Sequence, residues 1–128
     1  PKSIRPWQHI LDVINGYLIL MKKTYQANNF FESYNFAPQT KRYYNVMSVV
    51  EGMSEKLKYN KIKYGKSTKY KESIILRLNS SKATKDLKWK PKFTITQTLN
   101  KTADWYKSYI NNDNIIEKSY DDIVKYFN

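Results

Sequence analysis

The chain has 128 residues and a formal net charge of +12, with 23 lysine and arginine residues against 11 aspartate and glutamate residues. This length predicts one domain over residues 1–128, with a core that buries roughly two thirds of the unfolded surface. With no Cys and a single His, disulfides and thiolate or His-rich metal sites are excluded, and the cytoplasm is the expected compartment.

The first predicted element is a short extended segment, residues 4–9, that leads into a helix. Pro6 fixes its own φ and pushes Arg5 toward an extended backbone. Arg5 is one of three Arg beside twenty Lys, and a guanidinium binds phosphate oxygens in a bidentate way that Lys cannot. We therefore predict that Arg5 binds a phosphorylated ligand. Trp7 either stacks on a base or covers core, and His9 is either a general base or a structural hydrogen-bonding residue.

Apolar residues at helical spacing predict an amphipathic helix from about Asp12 to Gln26, with Asp12 at the positive end of the helix dipole. Gly16 inside this pattern indicates close packing against another element. No run of apolar residues here is long enough to span a bilayer, so no membrane partner is expected. The chain begins at Pro1 without a Met, and we expect it to be a piece of a longer protein.

The middle of the chain predicts short strands and one further helix. Residues 33–37 read as an aromatic strand closed by a proline. A helical face follows from Val46 to Leu57, with Asn45 as its cap. Residues 61–64 and 73–78 alternate like strands, with a polar loop between them.

The last part of the chain predicts three helices. Ser80 or Ser81 caps a short helix that runs to Leu87. Thr94 and Gln97 have the spacing of a capping box, which opens a helix that reaches Ile110. Residues 119–122 have a weaker box, which predicts the start of the final helix. The sum is an α/β layout, mostly helical with two or three short strands.

The motifs of common catalytic sites are absent from the sequence. The three glycines are too scattered for a dinucleotide-binding or Walker-type loop, and neither GxSxG nor HExxH occurs. Tyr59 and Lys63 have the spacing of a short-chain dehydrogenase base, but chance explains one such pair in a chain this rich in Tyr and Lys. We therefore assign no catalytic, cofactor-binding or metal-binding residue in this chain.

The positive charge raises an alternative function, that of a basic, non-enzymatic nucleic-acid-binding protein. Residues 56–71 hold seven Lys with tyrosines between them, a composition that single strands can stack upon. Compositional bias explains the charge more simply, because Lys, Asn, Tyr and Ile are abundant along the whole chain. We favour a solvated surface and expect no nucleic-acid partner.

Several strings in order along the chain resemble the C-terminal portion of the CDP-glucose 4,6-dehydratases. These enzymes are extended short-chain dehydrogenases/reductases of the NAD-dependent epimerase/dehydratase superfamily. The strings are Ile4-Arg5-Pro6-Trp7-Gln8-His9, Gly16-Tyr17-Leu18, Tyr34-Asn35-Phe36, Ser81-Lys82-Ala83, Leu87-Lys88-Trp89-Lys90-Pro91 and Trp105-Tyr106-Lys107.

The resemblance implies a parent lyase that uses NAD to convert CDP-glucose to CDP-4-keto-6-deoxyglucose, a precursor for deoxysugars of surface polysaccharides. In that family the N-terminal Rossmann half carries the glycine loop and the Tyr/Lys pair. This chain resembles only the substrate-binding half, so it is expected to lack activity, and to bind no NAD, without its missing half. The resemblance further implies that the helix with Gly16 lies against that half, and that the parent enzyme is a homodimer.

Residue by residue, the resemblance assigns Arg5 to the pyrophosphate of the nucleotide sugar and places Trp7 and His9 in the family string. Lys71 and Glu72 fall where the family has His-Glu, and both are candidate substrate-binding residues. From spacing alone, surface charge explains this Lys-Glu pair. Asn79 stands where the family has Asp, which marks a diverged copy.

Overall fold

The computed structural model describes residues 2–27, 30–40, 42–59, 61–65 and 73–128. Within these ranges the chain forms five helices and one two-stranded sheet. The elements in chain order are β1 (Ile4–Arg5), α1 (Ile10–Gln26), β2 (Tyr44–Asn45), α2 (Val46–Leu57), α3 (Ser81–Leu87), α4 (Ile95–Ile110) and α5 (Ile115–Phe127). The mostly helical prediction is confirmed.

The sheet is a short ribbon that joins the start of the chain to its middle. Strands β1 and β2 are antiparallel, with Arg5 opposite Tyr44 and Ile4 opposite Asn45. Ile4 also forms an isolated parallel bridge with Ile75. The extended backbone predicted for Arg5 from Pro6 is therefore present, and it is held on both sides.

Helix α1 begins two residues before the predicted start, because His9 caps it. The His9 Nδ1 atom accepts a hydrogen bond from the amide of Leu11 at 3.2 Å. The neighbour predicted for Gly16 is the Phe36 ring, since a Cβ added to this glycine would lie 2.5 Å from Phe36 Cδ1. The prediction that Gly16 marks contact with an absent half is therefore wrong; this glycine admits an aromatic ring of the same chain.

The main core forms where α1 and α3 meet the loop that follows α1. Phe36 and Trp89 meet edge to face with ring centroids 5.0 Å apart, and Ala83 and Leu87 of α3 complete the buried cluster. Trp89 is fully buried, and its indole N–H donates to the Asp12 carbonyl at 3.0 Å. The aromatic residues in the loop and after α3 therefore close the core over one face of α1.

The remaining helices form a second layer in which α4 packs against both α2 and α5. The predicted caps of α2 and α4 are confirmed: Asn45 accepts from the Ser48 amide, and Thr94 with Gln97 forms a full capping box. The predicted start of the last helix is wrong, because Asn114 caps α5 and the helix begins at Ile115. Ser119 instead accepts from the Trp105 indole at 2.9 Å, inside the α4–α5 contact.

Two of the predicted strands are wrong, and a third is reduced to a single bridge. Residues 33–37 and 61–64 have no regular secondary structure, and within residues 73–78 only Ile75 bridges a strand. The pattern of residues 33–37 has another cause, since Phe36 fills the core while the Phe36 carbonyl accepts from Gln8 Nε2 at 2.6 Å. The aromatic pattern of residues 33–37 therefore reflects the burial of the Phe36 ring in the core and not the pairing of a strand.

Asp12 is a buried anchor that the sequence pattern did not reveal. Its side chain is fully buried, and Oδ1 accepts from the amide of Lys92 at 2.7 Å and from the Tyr126 hydroxyl at 2.8 Å. Its other oxygen lies 3.4 Å from the Phe93 amide nitrogen. Burial first, and then the hydrogen bond to Asp12, raise the pKa of Tyr126. One carboxylate therefore fixes the segment before α4 and the end of α5 to the first turn of α1.

Candidate functional site

A cleft of about 520 Å³ lies between β1, residues 38–40 and 42–44, and the segment that leads into α4. Its lining includes four cationic residues, several aromatic rings and three threonines, and no carboxylate of the described residues is among them. The four cationic residues are Arg5, Arg42, Lys90 and Lys92. A concave surface with cations, hydroxyls and rings suits an anionic ligand that carries a planar base.

Arg5 lines this cleft from strand β1. Its Nη1 donates to the carbonyls of Ile4 at 2.8 Å and Ser73 at 3.0 Å. These bonds fix the direction of the side chain. The guanidinium is thus held beside the point where residues 73–76 meet the ribbon.

Trp7 also lines the cleft and is tied to the opposite strand. Its indole N–H donates to the Tyr44 carbonyl at 3.1 Å, and the residue is half-buried. The ring therefore braces the ribbon and contributes part of the cleft wall. Both alternatives considered for Trp7 are compatible with this position, because one ring face can cover core while the other meets a base.

The other cations of the cleft come from parts of the chain distant from Arg5. The Arg42 guanidinium lies over the Tyr44 ring, 5.3 Å from its centroid. Lys90 is exposed at the rim. The Lys92 ammonium donates to the Tyr126 carbonyl at 2.5 Å, so this lysine contributes its charge to the α5 contact. Arg5, Arg42 and Lys90 are therefore the cations that we consider for a ligand.

His9 lines a different cavity, of about 470 Å³, where α1 begins beside α4 and α5. The imidazole is buried, caps α1, and meets the Phe93 ring edge to face with centroids 5.1 Å apart. Burial lowers the pKa of His9, against the opposing effect of Asp12. The structure brings Arg5 and Trp7 together and places His9 apart from them, in a structural position.

The remaining two predicted substrate-binding residues, Lys71 and Glu72, lie outside the described residues. Of the segment predicted from the Lys-Glu-Ser string, the structure describes Ser73, whose carbonyl accepts from Arg5. The candidate site is therefore built from Arg5 and Trp7 together with residues from two later segments.

Sequence reasoning missed the contribution of residues 38–40, 42–44 and 90–96 to the cleft. Lys90 and Pro91 belong to a string that supports the resemblance, but no function was assigned to them. Thr94 was identified only as a helix cap. Arg42 had one signal in the sequence, its membership in a set of three Arg. The same scarcity argument that selected Arg5 applies to it.

The described part of the chain therefore presents a protein with a cationic, ring-lined cleft of the kind that binds phosphorylated ligands. No family model matches the chain. The chain is similar to a protein described as CDP-glucose 4,6-dehydratase from Salmonella typhimurium, with 30% identity over 135 residues. The match covers 98% of this chain and 36% of the Salmonella protein.

The resemblance predicted from the sequence strings is thus confirmed, and the coverage is consistent with a C-terminal portion of such an enzyme. The chain spans about a third of the length of the curated relative that it matches. None of the helices in the described ranges combines the length and apolarity that crossing a bilayer requires.

Proposed function

We propose that this chain is the nucleotide-sugar-binding C-terminal part of a CDP-glucose 4,6-dehydratase, and that the cleft at Arg5 receives the diphosphate. The observation that carries the proposal is the lining of the cleft, in which cations from three segments meet and none of the described lining residues is acidic. The similarity to the Salmonella dehydratase supports the choice of ligand class.

The residues of the cleft have separable tasks in this proposal. The Arg5 and Arg42 guanidinium groups neutralise and orient the phosphate oxygens, with a planar geometry that Lys cannot copy. The ring of Trp7 or Tyr44 offers a face for the cytosine base. The chain would bind and orient the nucleotide sugar, while hydride and proton transfer would require groups from other polypeptide.

The glycines of this chain do not fit NAD. A dinucleotide site requires closely spaced glycines in a turn between a strand and a helix N-terminus. Gly16 and Gly52 instead lie within α1 and α2, and Gly16 admits the Phe36 ring. We therefore propose that the chain alone binds no NAD and is inactive, and that NAD belongs to the Rossmann half of the parent enzyme.

Calorimetric titration of the purified chain with CDP-glucose, CDP and UDP-glucose tests the proposal. We expect binding with a preference for cytidine. Arg5→Ala should weaken it by about 10- to 100-fold, since a hydrogen bond to a charged group contributes about 1.5–3 kcal/mol. Arg5→Lys should restore only part of the affinity.

Lys125 provides a control, because it is an exposed cation on α5 that does not line the Arg5 cleft. Lys125→Ala should change the affinity less than twofold. Equal losses for Arg5→Ala and Lys125→Ala, or no binding by the unaltered chain, would refute the assigned site. Formation of 4-keto sugar from CDP-glucose and NAD by the chain alone would refute the inactivity.

The nucleic-acid alternative receives no support from the similarity to the dehydratase. Its main feature, the lysine-rich run at residues 56–71, lies partly outside the described residues. Titration with a single-stranded oligonucleotide at low and physiological salt separates the two functions. Tight binding that collapses with salt and ignores base identity would favour the alternative.

A further inference from the structure

The cavity beside His9 has the composition of a small-molecule site, and we call it the second cavity. It lies where the start of α1 meets α4 and α5, and none of the described residues that line it also lines the Arg5 cleft. Its volume of about 470 Å³ falls within the roughly 300–1,000 Å³ of ligand pockets, which are mostly apolar with a few placed polar groups. Its apolar and aromatic lining residues are Ile10, Leu11, Trp105, Tyr106 and Ile123.

The Trp105 ring forms a fixed wall of the second cavity. Its indole N–H donates to Ser119 Oγ at 2.9 Å, and Ser119 Oγ donates in turn to the Ile115 carbonyl at 2.7 Å. The ring also stacks on Tyr109, with planes 5° apart and centroids 5.9 Å apart. A flat, preorganised aromatic wall favours a ligand whose body is itself an aromatic ring.

His9 contributes a hydrogen-bond donor to the second cavity. The imidazole is 9% exposed, and its Nδ1 atom accepts from the Leu11 amide. Burial lowers the pKa of His9 and so favours the neutral ring. In the neutral ring the proton is then on Nε2, which has no hydrogen-bond partner among the described residues. An acceptor on a ligand would satisfy this N–H group.

Gln8 contributes the complementary group, a hydrogen-bond acceptor. Gln8 Nε2 donates to the Phe36 carbonyl at 2.6 Å, which fixes the orientation of the side-chain amide. Gln8 Oε1 is buried, and no described residue donates to it. Buried polar atoms are nearly always hydrogen-bonded, because an unpaired one is destabilising. Adjacent residues of the cavity wall therefore offer an unused donor and an unused acceptor.

The charged groups of the second cavity have partners within the chain. Among the described residues that line it, these groups are Asp122 and Lys101. The Asp122 carboxylate forms an ion pair with Lys118 on the same helix. The Lys101 ammonium lies over the Phe93 ring, 5.0 Å from its centroid. Because a charged ligand would lose its hydration here without gaining an unpaired counter-charge, the cavity favours a neutral one.

We infer that the second cavity is a binding site for a small, neutral aromatic carboxamide. The ring of the ligand lies against Trp105, its carbonyl oxygen accepts from His9 Nε2, and its N–H group donates to Gln8 Oε1. A carboxamide suits these two residues because it supplies an acceptor and a donor without charge. The inference does not rest on the proposed function, since the two cavities have separate linings in the described part of the chain.

NMR of the ¹⁵N-labelled chain tests the inference with benzamide as the probe. The chain has three Trp, so the indole N–H signals are few and easily assigned. We expect benzamide to shift the Trp105 signal in a saturable way. The signals of Trp7, in the Arg5 cleft, and Trp89, in the core, should stay in place. Benzoate has the same ring but carries a charge and no N–H donor, so it should bind at least about tenfold more weakly.

Two variants identify the polar contact and the cavity. His9→Asn keeps an acceptor that caps α1 but lacks the Nε2–H donor, so the benzamide affinity should fall by about 2- to 10-fold. Ile123→Trp places a larger side chain in the cavity wall and should abolish the shift of the Trp105 signal. Ile116→Trp is the matched control, because Ile116 is 80% exposed on the same helix and does not line the cavity; it should bind benzamide as the unaltered chain does.

Each outcome supports or overturns the inference. Absence of a saturable shift at Trp105 overturns it, as does a shift that survives Ile123→Trp or equal affinity for benzoate and benzamide. If Ile123→Trp does not fold, His9→Asn decides, and unchanged benzamide affinity in that variant overturns the inference. CDP should shift the Trp7 signal and not that of Trp105, so failure of one site is distinguished from failure of the other.

Discussion

Replacement of Asp12 should cost this chain a large part of its stability. In Asp12→Ala the Lys92 amide and the Tyr126 hydroxyl, now 2.7 and 2.8 Å from Oδ1, lose their acceptor. A hydrogen bond to a buried charged group contributes about 1.5–3 kcal/mol, so two give about 3–6 kcal/mol. We assign little to the contact with Phe93 at 3.4 Å. Small domains are stable by about 5–15 kcal/mol, so the variant should be marginal.

Asp12→Asn separates these hydrogen bonds from general disturbance of the core. Both strong bonds converge on Oδ1, so an amide oxygen placed there keeps them and only the charge and the weak contact are lost. We expect a cost of about 1–2 kcal/mol, well below that of Asp12→Ala. Urea unfolding with unchanged m values measures both variants.

A double-mutant cycle with Tyr126→Phe identifies the bond to α5. If the hydroxyl bonds Asp12 as observed, the two losses are not additive, and the coupling should reach about 1–2 kcal/mol. If the free energy of unfolding of Asp12→Ala is within about 1 kcal/mol of that of the unaltered chain, the carboxylate does not fix the last helix and the prediction is wrong.

Three smaller predictions concern a helix cap and two glycines. Burial lowers the pKa of His9 below its ordinary value of 6.5. Below that value the unfolded chain therefore binds more protons than the folded chain, so the free energy of unfolding should fall as the pH drops from about 7.5 to 5.5. His9→Asn keeps a capping acceptor without titrating, so the unfolding midpoint of this variant should not follow that trend. Gly16→Ala should cost about 1–3 kcal/mol through collision with Phe36, and Phe36→Leu in the same chain should recover part of it in urea unfolding. Gly52→Ala should stay within about 1 kcal/mol of the unaltered chain in the same assay, because its Cβ meets only the mobile end of Leu99 at 2.9 Å while helix propensity improves.

Local signals predicted the helices well. Asn45 caps α2, and Thr94 with Gln97 opens α4, because these bonds form within three residues of sequence. A cap and a periodic apolar face are properties of a short window, which sequence reasoning can inspect completely. The start of α5 was misplaced because residues 119–122 have the spacing of a capping box, whereas Asn114 is the residue that caps the helix.

Non-local contacts account for the features that sequence reasoning missed. Asp12 suits the first turn of a helix by its charge, yet its partners lie 80 and 114 residues away. Phe36 gave residues 33–37 the appearance of a strand, although its ring is fixed by the core. The cleft is also formed by non-local contacts. Pro6 predicted the backbone conformation of Arg5, but no local sequence signal indicated that Arg42 lines the same cleft.

The Asp12 anchor also connects folding to ligand binding, if the proposed function holds. Residues 90–96 form one wall of the cleft, and the Asp12 carboxylate accepts from the amide at the middle of that wall. Asp12→Ala removes that acceptor and, measured under conditions in which it remains folded, is therefore expected to weaken CDP binding several-fold, whereas Asp12→Asn keeps the acceptor and should bind CDP almost as the unaltered chain does. Ser119→Ala removes an acceptor from the α4–α5 contact, away from the wall, and should leave the affinity unchanged. Equal affinity for Asp12→Ala and Ser119→Ala would mean that other contacts, such as burial of Trp89, hold the wall without help from the carboxylate.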